Sequence, residues 1–133
     1  MTNKVIVALD NKNLKQIIAI VKKTKSEVFG FKIGKEFFYS YGIEGYKKIF
    51  KLSPKIFLDL KLHDIPNTVE KALKAIIKLR PLLTTIHITG GDEMQKASSK
   101  LKRNKTKILG VTILTSLNAS QTKKYYNNKN IYQ

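Results

Sequence analysis

Cysteine is absent from the 133 residues. That excludes a disulfide framework and any thiolate metal site. No apolar run approaches the ~18–20 residues needed to cross a bilayer. The opening MTNKVIVALD lacks the basic segment, long apolar stretch and cleavage site of a signal peptide. A soluble cytoplasmic protein is the expectation. Acidic residues are scarce, nine against 26 basic ones, for a formal charge of +17. Arginine is scarcer still: Arg80 and Arg103 are the only two, and the other basic residues are lysine. Surfaces that read or stack on bases favour arginine and aromatic side chains, and here the lysines are spread along the whole chain. Lysine, isoleucine and asparagine are all abundant and share A/T-rich codons, so base composition of the gene accounts for the bias. Neither a nucleic acid nor a membrane is an expected partner.

Several motifs are missing as well. No G-x-G-x-x-G follows the first apolar run, which weakens a dinucleotide-binding reading. There is no Walker loop, no zinc-ligand spacing and no specific nucleophile–histidine–acid set. What is present is a regular alternation. Five short apolar runs recur: VIVAL (5–9), VFGFKIG (28–34), KIFLDL (55–60), TTIHITGG (84–91) and KILGVTILT (107–115). They are rich in Val, Ile and Phe and mostly do not alternate with polar residues, as suits parallel strands buried on both faces.

Helical patterns fill the gaps. Leu14, Ile17, Ile18 and Val21 fall on one helical face, after a capping box of Asn13 and Gln16. Residues 35–50 read as a helix broken near Gly42. Val69, Leu73, Ile76 and Ile77 share a second face, with Asn67 and Glu70 as another capping box. A weaker helix is expected over 92–103, and the polar tail from 118 is ambiguous. The strand–helix repeat predicts βαβ units with right-handed crossovers in a length suited to one domain. Two folds use it, the doubly wound sheet and the (β/α)8 barrel.

Polar residues gather at the carboxyl ends of these runs: Asp10, Lys32, Asp59 with Lys61, His87 with Gly90, and Thr115 with Ser116. A barrel places its active site at that end. Only four aspartates exist, and Asp10, Asp59 and Asp64 all lie at or just after apolar runs. Asp59 and Lys61, two apart on a strand, are expected to point the same way, with Lys32 within reach from the neighbouring strand. Burying charges is costly unless they pair, so a structural ion-pair network and a reaction site both fit. A carboxylate beside a lysine can press on a substrate anion while the ammonium stabilises and protonates a developing carbanion. Decarboxylation needs both. A metal site would need a further acid where Lys32 stands. His63 reads as facing solvent or a dimer partner and His87 as a core or wall residue, while Gly90-Gly91 is a weak phosphate signal.

The stretch DLKLHDIPNT resembles the signature of orotidine 5′-phosphate decarboxylases, D-x-K-x-x-D-I-P-x-T, met by Asp59, Lys61, Asp64, Ile65, Pro66 and Thr68. VALD, FKIGKEFFYSYG, IHITGG and GVTILTSLNAS resemble the bacterial branch of that family in the same order. The resemblance implies a cofactor-free lyase that converts orotidine monophosphate to uridine monophosphate. Carried over, Lys61 is the proton donor to C6, Asp59 lies against the departing carboxylate, and Lys32 holds the ribose and orients Asp59. Asp64 and Thr68 act across a homodimer interface in the partner's site, with Ile65 and Pro66 of the same motif at the substrate. Asp10 binds ribose, and Thr115 or Ser116 the pyrimidine edge. No metal is implied.

A typical barrel takes ~250 residues, with phosphate held by loops after strands seven and eight. Residues 1–133 read as strands one to five of a single barrel domain, cut before its phosphate site and inactive by themselves. Two other readings stand beside this one. A magnesium-dependent sugar-phosphate decarboxylase or aldolase of the same superfamily shares D-x-K-x-x-D but carries an acid in place of Lys32. The other is a catalytically dead remnant, acting at most as an interaction module.

Overall fold

The computed structural model describes residues 4–10, 13–101 and 105–126. Five strands, β1 (Ile6–Ala8), β2 (Gly30–Gly34), β3 (Ile56–Leu62), β4 (Leu83–His87) and β5 (Lys107–Val111), alternate with helices α1 (Leu14–Thr24), α2 (Lys35–Leu52), α3 (Pro66–Lys78), α4 (Asp92–Ser99) and α5 (Ala119–Tyr126). The strands form one sheet in sequential order, and every pairing is parallel. A doubly wound sheet would place β1 in the interior. Sequential order is that of consecutive strands in a (β/α)8 barrel, as expected from the strand–helix repeat.

The helices begin and bend where local chemistry directs. Asn13 Oδ1 accepts from the Gln16 amide at 2.9 Å, so the predicted cap of α1 is present. Gly42, at φ 57° and ψ −157°, interrupts α2; glycine alone adopts that backbone without strain. α3 departs from the expected start. Its first residue is Pro66, its N-cap is Ile65 and no side chain among the described residues caps it. Proline needs no amide partner at the first helical position, so the helix begins before Asn67, and Glu70 instead pairs with Lys74 at 2.6 Å. α4 ends at Ser99, short of the expected 103, and 102–104 lie outside the described residues. The ambiguous tail forms α5 over Ala119–Tyr126. Asn118 and Gln121 cap each other's amides at 2.9 and 3.0 Å, a reciprocal box missed in the sequence. Residues 127–133 lie outside the described residues.

Two clusters hold the helices to the sheet. In one, Ile17, Val21, Phe37 and Ile49 of α1 and α2 pack on Phe31, Ile33, Ile56 and Leu58. In the other, Val69 and Leu73 of α3 and Met94 of α4 pack on Ile86. The fourth run was read as a strand ending at His87, before Gly90-Gly91, and it does. It breaks at His87 into a 3-10 turn over Ile88–Gly90. A Cβ at Gly90 would collide with the Met94 side chain, so this glycine serves the packing of α4.

Candidate active site

Alternation along the strands divides their side chains. Phe31, Ile33, Ile56, Leu58 and Leu60 are buried under the helices, and the residues between them face the other side of the sheet. Lys32, Asp59 and Lys61 belong to that inner face. Lys61 Nζ donates to Asp59 Oδ2 at 2.7 Å. Lys32 Nζ lies 3.8 Å from the same oxygen and 3.5 Å from Asp10 Oδ2. One continuous array thus runs Asp10–Lys32–Asp59–Lys61 across three strands. Asp59 is its buried centre, with its side chain 8% exposed against 26% and 33% for Lys32 and Lys61. Lys32 was expected to end its strand; β2 continues to Gly34, so it reaches the array from two residues inside.

The backbone at Lys61 is not that of a plain strand. Leu58 pairs with Thr84 and Leu62 with Ile86, with a register shift between them. Lys61 sits at φ 48°, a left-handed conformation uncommon for a residue with a side chain. Bulges re-aim side chains and are frequent beside active sites. Asp59 and Lys61 therefore meet, as expected, but through a bulge. Thr85, buried on β4, donates from Oγ1 to Asp59 Oδ1 at 2.9 Å and accepts from the Lys61 amide at 2.8 Å. The sequence reading missed it; a pair of threonines in a buried strand was the available signal.

Burial favours protonation of the Asp59 carboxyl. The hydrogen bonds from Lys61 and Thr85, with the charges of Lys61 and Lys32, outweigh it and hold the pKa below the ordinary carboxylate value. Asp59 is thus an anion at neutral pH, clamped between ammonium groups. Burial lowers the pKa of His87, helped by His63, Lys35 and Lys61. Its ring centroid lies 5.1 Å from that of His63. Among the described residues no group of three or more His, Cys, Asp or Glu is placed to share a metal ion.

The rest of the predicted set lies further out. Asp64 is exposed, its Oδ1 accepts from the Ile65 amide at 2.7 Å, and it makes no ion pair among the described residues. Ile65 is 67% exposed, Thr68 is exposed, and Pro66 starts α3. A hollow of about 390 Å³ beside the array is lined by Lys61, His63, Asp64, Thr68 and His87, among others. Thr115 and Ser116 were expected at the end of the fifth strand. β5 stops at Val111 because the chain turns there, and both sit exposed in the turn before α5. A larger hollow of about 680 Å³ lies against Ile86, Leu101 and Ile108 and shares no residue with the array.

Parallel βα units in sequential order, with charges collected at the carboxyl ends of the strands, define a protein of the (β/α)8-barrel class. More narrowly, the chain belongs to the orotidine 5′-phosphate decarboxylase / HUMPS family, whose model matches residues 3–133. It is similar to the orotidine 5′-phosphate decarboxylase of Erythrobacter litoralis, 44% identical over 117 residues, which are 88% of this chain and 52% of the relative. The Ehrlichia chaffeensis protein of that name is 43% identical over 123 residues, 92% of this chain and 53% of its own. Among solved structures, the Lactobacillus acidophilus orotidine 5′-phosphate decarboxylase superposes with a TM-score of 0.79 at 41% identity, covering 95% of this chain and 59% of that one. The Methanocaldococcus jannaschii orotidine 5′-monophosphate decarboxylase complexed with the inhibitor BMP gives 0.70 at 29%, covering 81% and 52%. The chain spans about half the length of the curated relatives it matches. No described helix is long and apolar enough to cross a membrane.

Proposed function

We propose that these residues carry the decarboxylating array of an orotidine 5′-monophosphate decarboxylase, the enzyme that forms uridine 5′-monophosphate. The observation that carries the reading is the position of Lys61 Nζ, 2.7 Å from a buried Asp59 carboxylate that Lys32 also approaches. With the pyrimidine in place, the substrate carboxylate lies against Asp59. Two anions so placed repel, and the repulsion is relieved as carbon dioxide leaves. The C6–carboxylate bond breaks and its electron pair stays on C6. Lys61 stabilises that charge and then delivers its proton to C6, finishing as an amine that regains a proton from water. Lys32, between Asp10 and Asp59, fixes Asp59 and meets the ribose together with Asp10.

In this reading residues 1–133 are the first five βα units of one barrel domain, and the enzyme is a cytoplasmic homodimer that needs no cofactor. Asp64, Ile65, Pro66 and Thr68 serve the partner's site, since this stretch, from the loop after β3 into the first turn of α3, makes no ion pair with the array of its own chain among the described residues. Thr115 or Ser116 meets the pyrimidine edge. Barrels of this class hold phosphate after strands seven and eight. The 133 residues alone therefore turn over little substrate.

The test uses a completed barrel, residues 1–133 joined to the carboxyl-terminal half of the Erythrobacter litoralis relative. Uridine monophosphate should form from orotidine monophosphate, undiminished by EDTA. Loss of activity in EDTA and recovery with magnesium would favour a sugar-phosphate enzyme of the superfamily. Mixing inactive Asp64→Ala and Lys61→Ala chains should restore one site per heterodimer, and no recovery on exchange would count against shared sites.

A further inference from the structure

We propose that Thr85 is a positioning residue of the array, fixing both the Asp59 carboxylate and the Lys61 backbone from the neighbouring strand. The proposal rests on the decarboxylase reading above. The register pairs Leu58 with Thr84 and Leu62 with Ile86. Asp59, Leu60 and Lys61 therefore stand opposite Thr85 alone, and the ordinary ladder has no carbonyl to offer each amide in the bulge. The Lys61 amide finds the Thr85 hydroxyl instead, at 2.8 Å. The hydrogen of that hydroxyl goes to Asp59 Oδ1, at 2.9 Å. One hydroxyl supplies one donor and two acceptor sites, and Thr85 uses the donor and one acceptor on the two residues that the chemistry requires.

The consequence is geometric. Asp59 Oδ1 is held by Thr85 and Oδ2 by Lys61, with Lys32 near. The carboxylate cannot rotate about its own axis without losing one side. The hydrogen bond that the Lys61 N–H donates to Thr85 Oγ1 also holds the left-handed turn at Lys61, φ 48°, from which the ammonium reaches Asp59. Thr85 is 3% exposed, so water cannot readily replace it. The adjacent Thr84 is also buried, but its hydroxyl has no hydrogen-bond partner among the described residues. The strand therefore does not require a bonded hydroxyl as such; the array does.

Three substitutions in the completed barrel test this. Thr85→Val keeps the shape and removes both bonds, Thr85→Ala removes them with less bulk should valine prevent folding, and Thr85→Ser keeps the hydroxyl. The two deletions should lower kcat by ~10–100-fold, the loss expected for a hydrogen bond to a charged group. KM for orotidine monophosphate should change little, and serine should restore most of kcat. Independently of activity, carbon-13 NMR of the Asp59 carboxyl should show its titration moved upward in the deletions and not in serine. Lys61, Lys32 and Thr85 face that carboxyl, with Asp10 behind Lys32. Unchanged kcat and unchanged titration in a folded deletion would overturn the proposal. So would serine failing as valine does, because the methyl and not the hydroxyl would then matter. If Lys61→Ala stays active in the same barrel, the decarboxylase reading fails, and the carboxyl titration still judges Thr85.

Discussion

On the helix-covered face of the sheet, Phe31, Ile33, Ile56 and Leu58 are wholly buried, while the same two strands present Lys32, Asp59 and Lys61 on the other face. The apolar face is satisfied by any side chains that fill the space under α1 and α2. The charged face depends on individual atoms: Asp59 has a donor on each oxygen. Thr84 and Thr85 show the contrast between neighbours. Thr84, opposite Leu58, has a buried hydroxyl with no partner among the described residues, whereas Thr85 binds two members of the array. Apolar packing is concentrated on one face and the charged array on the other, so, under the proposed function, substitutions on the two faces should separate folding from turnover.

The sharpest break of that separation on the stability side is Leu73→Ala. Leu73 is fully buried between α3, α4 and β4, and its truncation should cost about 2–5 kcal/mol in urea unfolding. Thr84→Val should act in the opposite direction, stabilising by about 1 kcal/mol, because it removes a buried hydroxyl that has no partner among the described residues and nearly keeps the shape. A loss of stability there would mean that the hydroxyl has an undetected role.

Acid should act on the array side. Asp59 and His87 both have folded-state pKa values below their ordinary ones, so the unfolded chain takes up protons first as pH falls. The His87 contribution is complete above its unfolded pKa of ~6.5 and fades as pH falls through the lower folded value. Asp59 follows the same rule from ~3.9 downward. His87 is only partly buried, so solvent screening keeps its share small. Urea midpoints between pH 8 and 5 should fall slightly, and less so in His87→Gln. The smallest effect is expected at Lys74, whose partner Glu70 sits one helical turn away at the surface. Lys74→Ala should leave the urea midpoint unmoved.

Much of this was legible in the sequence because the strand–helix repeat and the scarce aspartates carry it. Apolar runs located all five strands, and Asp59, Lys61 and Lys32 meet as their spacing implied. What spacing could not convey was register. The bulge opposite Thr85 depends on how β3 and β4 pair, and no local pattern in FLDLKLHD encodes a left-handed Lys61. Caps were legible only where no stronger signal competed. Asn13 and Gln16 cap as read, whereas Pro66 moved the start of α3 away from Asn67. Asn118 and Gln121 repeat the pattern of Asn13 and Gln16, yet weak apolar periodicity hid the helix after them. Asp64 and Thr115 were assigned roles by resemblance; Asp64 lines a hollow with Lys61 but makes no ion pair with the array among the described residues, and Thr115 lies exposed in the turn before α5.

The central claim is that the Lys61 ammonium acts on the reacting carbon. The direct measurement is turnover of orotidine monophosphate by the completed barrel with Lys61→Ala, alongside its affinity for uridine monophosphate. A proton donor needed mainly in the transition state contributes ~100-fold or more to rate and little to product binding. Turnover should therefore fall at least that far while uridine monophosphate still binds measurably. Turnover near that of the parent barrel would contradict the account.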